Sequence, residues 1–126
     1  MNNQKVFRYF ELAKEIALRE PWRPFIHGAV AIRSDGAVVK SPNCTNKSPN
    51  HLSHAEARVV RKLDYDAPAV FVIRIRRDNL KLALSKPCFD CMKKMISKNV
   101  QRVFYSIGEG EYGVIDNLFA AIKEMK

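Results

Sequence analysis

Two short segments, "SHAEA" at 53–57 and "PCFDC" at 87–91, hold the residues best suited to chemistry. Cys88 and Cys91 stand three positions apart, a common ligand spacing. On the first turn of a helix both would face one side. A helix N-terminus also favours the thiolate, because its free N–H groups stabilise negative charge. His54 offers a nitrogen from what reads as a second helix start. One nitrogen and two thiolates suit zinc, which takes N and S ligands in a tetrahedron. Such a set leaves a position for water, which the metal acidifies. Glu56, just after His54, can stand beside the metal without ligating it. A carboxylate there can take a proton from the water and hand it to a leaving group. Together these residues propose hydrolysis by a metal-held hydroxide.

Each residue also has a plainer reading. His54 can be a capping or surface histidine. Glu56 can close a capping box opened by Ser53, three residues before it. The CxxC can be a redox pair or a packed helix face. A thioredoxin-like protein would carry that motif straight after the first strand of a βαβ unit, whereas here it follows "SKP" in the second half of the chain. A zinc-stabilised binding module without catalysis would need no proton shuttle, so Glu56 argues against it. The metal reading is favoured because the residues occur together, in this order, each pair ahead of a helix.

The elements that must position them follow from periodicity. Val6, Phe7, Phe10, Leu12, Ala13, Ile16 and Ala17 recur at helical spacing and predict a helix over 3–19. The prolines of "EPWRP" at 20–24 stop it. Asp35-Gly36 between two apolar runs predicts a hairpin of strands at 25–33 and 37–41. A loop at 42–53 leads to a helix ending near Leu63. The β-branched run at 69–76 reads as a buried strand, with 79–85 as a possible hairpin arm. A helix over 88–99, a strand at 101–107, an antiparallel return through "YGVID" and a closing helix complete the chain. Alternating strands and helices predict an α/β protein, a three-layer α/β/α sandwich on a mixed five-stranded sheet.

Length and composition bound the setting. The 126 residues fit one domain spanning 1–126. No apolar run reaches the roughly 18 residues a membrane span needs. The N-terminus carries charges throughout and lacks the apolar core of a secretory signal, so a cytoplasmic setting is expected. Three cysteines, an odd number, argue against a disulfide framework. The net charge of +9 favours anionic partners such as nucleotides or nucleic acid. It equally fits a solvated surface rich in lysine. The local concentrations, "RIRRD" at 74–78 and "KK" at 93–94, are short.

"HAE" followed by "PCFDC" resembles the zinc-dependent cytidine and deoxycytidylate deaminase superfamily, whose signature is H-x-E…P-C-x-x-C. The resemblance runs from about Phe25 to about Ile115 and includes the order of elements. It implies the cytidine deaminase-like fold, with His54, Cys88 and Cys91 holding Zn2+ and Glu56 as proton shuttle. The hydroxide would attack the ring carbon that bears the exocyclic amine, and ammonia would leave. The backbone amides of Ala55 and Cys88 would contact the ring, and the carbonyl of Lys86 would accept from the leaving amine. Phe25 resembles the aromatic that packs near the base, and Asn43 the asparagine that binds the sugar. Members of the family commonly assemble, so a homo-oligomer is implied.

Two features bear on the substrate. Nucleoside-specific members usually use cysteine as first ligand and place a glutamate two after the sugar-binding asparagine. Here His54 and Thr45 stand there, which moves weight toward nucleotides or polynucleotides. The antiparallel end expected around "YSIGEGEYGVI" resembles nucleoside deaminases and some toxin-like or viral ones. The expected substrate is a cytosine base in a free nucleotide or nucleoside, with single-stranded DNA or RNA as the alternative. A mononucleotide needs one or two cations at the pocket mouth. A polynucleotide needs a basic track. Arg23, Lys47, Arg58, Lys86, Lys93 and Lys94 lie near the motif ends and can serve either. His27 can line the pocket or be a core histidine, and His51 can reach a substrate phosphate or be a plain loop residue. Cys44, beside Asn43, can be a substrate-loop residue but reads better as a small packed side chain. Trp22 can stack on a base or pack, and Tyr105 reads as core.

Overall fold

Asn2 caps the first helix, its side-chain oxygen accepting from the Lys5 amide at 2.9 Å. The computed structural model describes residues 2–19, 26–42, 68–76, 78–87, 89–97 and 99–124. Helix α1 (Asn3–Ala17) turns Val6, Phe10, Ala13, Ile16 and Ala17 inward, the spacing that one helical face requires. That face lies on strands β1 (Ile26–Ile32) and β3 (Ala69–Ile75). Contact is close at Gly28, where an added Cβ would stand 2.3 Å from the Ala13 carbonyl oxygen. Only glycine lets the helix sit so near the strand.

Strand β2 (Val38–Pro42) pairs antiparallel with β1 through the expected Asp-Gly turn. Gly36 there has φ +91°, and the Asp35 carboxylate accepts from the Ala37 amide at 3.0 Å. Strand β3 pairs antiparallel with β1 along its whole length, from Ala69↔Ile32 to Ile75↔Ile26. Its other edge pairs parallel with β5 (Arg102–Gly108). Strand β6 (Glu111–Ile115) returns antiparallel to β5, after a tight turn whose Gly110 has φ +74°. The order β2-β1-β3-β5-β6 gives the mixed sheet that periodicity predicts. The foreseen hairpin arm is a sixth, two-residue strand, β4 (Leu82–Ala83), paired with β3.

Helix α2 (Phe89–Ser97) joins β4 to β5, and α3 (Leu118–Glu124) follows β6. Met92 and Met95 of α2 and Leu118 and Ile122 of α3 pack on Ala29, Ala31, Val70, Val72 and Val103. The opposite face of the sheet meets α1 through aromatic rings. Phe71 stacks on Phe104 with centroids 4.7 Å apart, and Phe10 meets Phe71 edge-on at 6.1 Å. Alternation therefore sends odd-numbered β1 residues and even-numbered β3 residues toward α2, and their neighbours toward α1. The described elements form the three expected layers: α1, the sheet, then α2 with α3. The helix expected through "HAEARVVRKL" lies outside the described residues.

No helix among the described residues is long and apolar enough to cross a membrane.

Candidate active site

Strands β3 and β5 are paired only as far as Val72↔Tyr105. Beyond that point β3 takes β4 as its partner, at Arg74↔Ala83 and Ile75↔Leu82. The chain from 82 to 85 is thus wedged between the diverging carboxyl ends of two parallel strands. In open α/β sheets the crevice outside those ends is where ligands bind.

Two serines hold the wedge. The Ser85 hydroxyl donates to the Val72 carbonyl at 2.9 Å and accepts from the Ser106 amide at 3.0 Å. The Ser85 amide donates to the Ser106 carbonyl at 2.9 Å. The Ser106 hydroxyl donates to the Ala83 carbonyl at 2.6 Å, accepts from the Arg74 amide at 3.3 Å and lies 2.9 Å from the Ser85 hydroxyl. Ser106 is fully buried, so these bonds replace water that cannot reach it. Glu109, in the β5–β6 turn, accepts from the Leu82 amide at 2.9 Å and fixes the other end of β4. The polypeptide is therefore clamped immediately before Lys86, Pro87 and the start of α2.

The consequences fall on the CxxC segment. Lys86 is exposed and Pro87 buried, so the chain turns inward at the proline. Helix α2 begins two residues later and places Cys91 in its first turn. Met92 and Met95 anchor that helix to Val70 and Val72 beneath it. The backbone of Cys91 thus stands in the first turn of α2, at the carboxyl ends of β3 and β5.

Of the other expected site residues, Phe25, Asn43, His54, Ala55, Glu56 and Cys88 lie outside the described residues. So do Trp22, Cys44 and His51. No group of three or more metal-ligating side chains falls among the described residues. His27 is half-buried on β1, on the α2 side of the sheet, directly opposite Arg74. Tyr105 packs in the core over Gly113, as expected; a Cβ on that glycine would meet the tyrosine ring at 2.3 Å.

Of three described arginine–aspartate pairs on the sheet, one lies beyond the carboxyl end of β3 and two at the opposite end, beside the starts of β3 and β5. Arg76 pairs with Asp78 at 3.0 Å, and Arg102 with Asp116 at 3.2 Å. Arg33 pairs with Asp35. Hydrogen bonding to its arginine holds each of Asp35 and Asp78 below the ordinary carboxylate value.

Sequence reasoning missed both serines of the clamp. A hydroxyl inside the apolar run "VFYSI" was the available signal, since a buried serine in a central strand needs a partner.

No protein-family model and no curated protein matches the chain. Solved structures do. The cytidine deaminase from Burkholderia pseudomallei superposes with a TM-score of 0.67 at 22% identity, over 92% of this chain and 93% of that one. This chain has the cytidine deaminase fold. The cytidine deaminase from Mycobacterium leprae gives a TM-score of 0.64 at 16% identity, over 90% of this chain and 94% of that one. The dCMP deaminase from cyanophage S-TIM5 gives 0.58 at 19% identity, over 85% of this chain and 86% of that one. A cytidine deaminase fold accounts for the clamp's position: it holds the segment that leads into the PCxxC helix.

Proposed function

We propose that this protein is a zinc-dependent deaminase that hydrolyses the amino group from a cytosine base in a free nucleotide or nucleoside. The observation that carries the reading is Cys91 in the first turn of α2, on a cytidine deaminase fold, within a chain carrying H-x-E and P-C-x-x-C in that order. His54, Cys88 and Cys91 supply one nitrogen and two sulfurs, the donor set that suits zinc. The helix start at Cys91 favours the deprotonated thiol that a metal requires. Zinc, when bound there, supplies a Lewis acid that brings the pKa of water toward neutrality.

The remaining work belongs to the chain. Glu56 takes a proton from the water that attacks the amine-bearing ring carbon. It then gives a proton to the exocyclic nitrogen. A carbon–oxygen bond forms, the carbon–nitrogen bond breaks, and ammonia leaves as cytosine becomes uracil. The Ala55 amide and the Lys86 carbonyl orient the base, Phe25 packs against it and Asn43 binds the sugar. The Ser85–Ser106 clamp supports this by holding the Lys86 backbone at the end of the sheet.

The test is ammonia release by zinc-loaded protein from cytidine, deoxycytidine, CMP, dCMP, a cytosine-containing single-stranded oligonucleotide and adenosine, beside Glu56→Ala. Release from a cytosine monomer, lost in the variant, supports the reading. Release from the oligonucleotide alone would shift it to polynucleotide deamination. Zinc bound at one per chain with no release from any compound would favour a non-catalytic binding module.

A further inference from the structure

Strand β3 is buried at every position except one. Its burial runs unbroken from Ala69 to Ile73, is interrupted at Arg74 and resumes at Ile75. Arg74 is an interior residue of the sheet, with β1 on one side and β4 on the other. Its side chain follows Val70 and Val72 in alternation, so it emerges on the face that carries α2. It stands roughly 7 Å beyond Val72, one strand repeat, toward the carboxyl end of β3, and Val72 shares a core cluster with Met92 of α2. Arg74 is thus just outside the N-terminal end of the PCxxC helix, at the mouth of the crevice where β3 and β5 part.

Two further observations define what it can bind. His27 is its direct cross-strand partner on the same face, with Cβ atoms about 5 Å apart in such pairs. The described arginines on or beside the strands are Arg33, Arg74, Arg76 and Arg102. Three are ion-paired, to Asp35, Asp78 and Asp116. The Arg74 guanidinium has no such partner among the described residues; its recorded bond is made by its backbone amide. A guanidinium on an interior strand, with no carboxylate partner among the described residues, is suited to a ligand phosphate, which it grips through paired N–H donors.

We propose that Arg74, flanked by His27, binds the phosphate of a cytosine nucleoside monophosphate at the mouth of the active site. The inference rests on the deaminase reading above and narrows its substrate class. Arg74 is a specificity residue rather than a participant in the hydrolysis.

The test compares wild-type protein, Arg74→Ala and Arg74→Lys on CMP, dCMP, cytidine and deoxycytidine. Arg74→Ala is expected to lower kcat/KM for the monophosphates by about ten- to a hundredfold, through KM. The loss for the nucleosides is much smaller. Arg74→Lys recovers part of it, since lysine keeps the charge but not the fork. Equal losses on nucleosides and monophosphates, or a wild-type enzyme that does not prefer the monophosphate, would overturn the proposal and leave deamination intact. Calorimetric binding of CMP and cytidine to the same proteins separates the two ideas where no turnover occurs. Binding of CMP in preference to cytidine, abolished in Arg74→Ala, would uphold the phosphate site while refuting deamination; equal binding would refute both. Tighter, salt-steep binding of a cytosine-containing oligonucleotide than of CMP would also overturn it.

Discussion

Replacing Ser106 with alanine removes one oxygen and leaves three groups to find new partners. The Ala83 carbonyl loses its 2.6 Å donor, the Arg74 amide its acceptor and the Ser85 hydroxyl its 2.9 Å neighbour. An ordinary hydrogen bond contributes about 1 kcal/mol net, and a buried group left unsatisfied costs about 1–3 kcal/mol. Ala83 is half-buried, so water can recover part of its loss. The expected destabilisation of Ser106→Ala is about 2–4 kcal/mol. A small domain has about 5–15 kcal/mol in total, so melting should fall by roughly 10 °C. Ser85→Ala should lose a comparable amount, since its hydroxyl bridges the Val72 carbonyl and the Ser106 amide. The double variant should lose less than the sum, because the two side chains touch, 2.9 Å apart, within one hydrogen-bond network. Calorimetry of the four proteins measures this directly. At temperatures where each variant is folded, turnover should fall by more than the folded fraction, because the clamp delivers the segment before α2. A Ser106→Ala protein melting within about 2 °C of wild type would refute the clamp. Strict additivity would refute the coupling.

Other outcomes are equally specific. Gly28→Ala should cost roughly 3 kcal/mol or shift α1, because its Cβ would collide with the Ala13 backbone carbonyl; denaturant unfolding checks it. Gly113→Ala should cost less, about 1 kcal/mol, because the group it meets is the far end of the Tyr105 ring, which can swing; the same melts compare the two. Leu80→Gly should stabilise by roughly 0.5–1 kcal/mol, since Leu80 holds φ +57° and is exposed. Asp78 stays ionised below its ordinary value of 3.8 because Arg76 bonds its carboxylate. The pair's small contribution is present above that value and is lost as pH falls through the lowered one. In Arg76→Ala, carboxyl NMR titration should return Asp78 toward the ordinary range.

The architecture was legible wherever local physics decides it. Asp35-Gly36 marks a hairpin because the turn needs a positive φ, and Gly36 has it. The face of α1 is written in the spacing of Val6, Phe10, Ala13 and Ala17, and the burial of β3 in its β-branched run. Strand β4 was harder to read, because no alternation of its own makes it. It exists through Ser106 and Glu109, which bind it from 23 and 27 residues away. The clamp was hidden for the same reason: the two serines lie 21 residues apart in sequence and meet only when β3 and β5 diverge. Arg74 read as one charge of a surface cluster, and only the register with His27 distinguishes it from Arg76. The H-x-E and P-C-x-x-C pieces are short and local, so residue type and spacing alone suggest a chemistry. Of these the described residues place Cys91 alone.

The most direct test of the account is mass analysis of the product formed from CMP or dCMP by zinc-loaded protein in isotopically labelled water, beside Glu56→Gln. Hydrolytic deamination predicts the uracil nucleotide, carrying the label on the ring carbon that bore the amine. It also predicts that Glu56→Gln keeps its zinc and forms none. Unchanged cytosine nucleotide with full zinc occupancy, or undiminished product from Glu56→Gln, would contradict it.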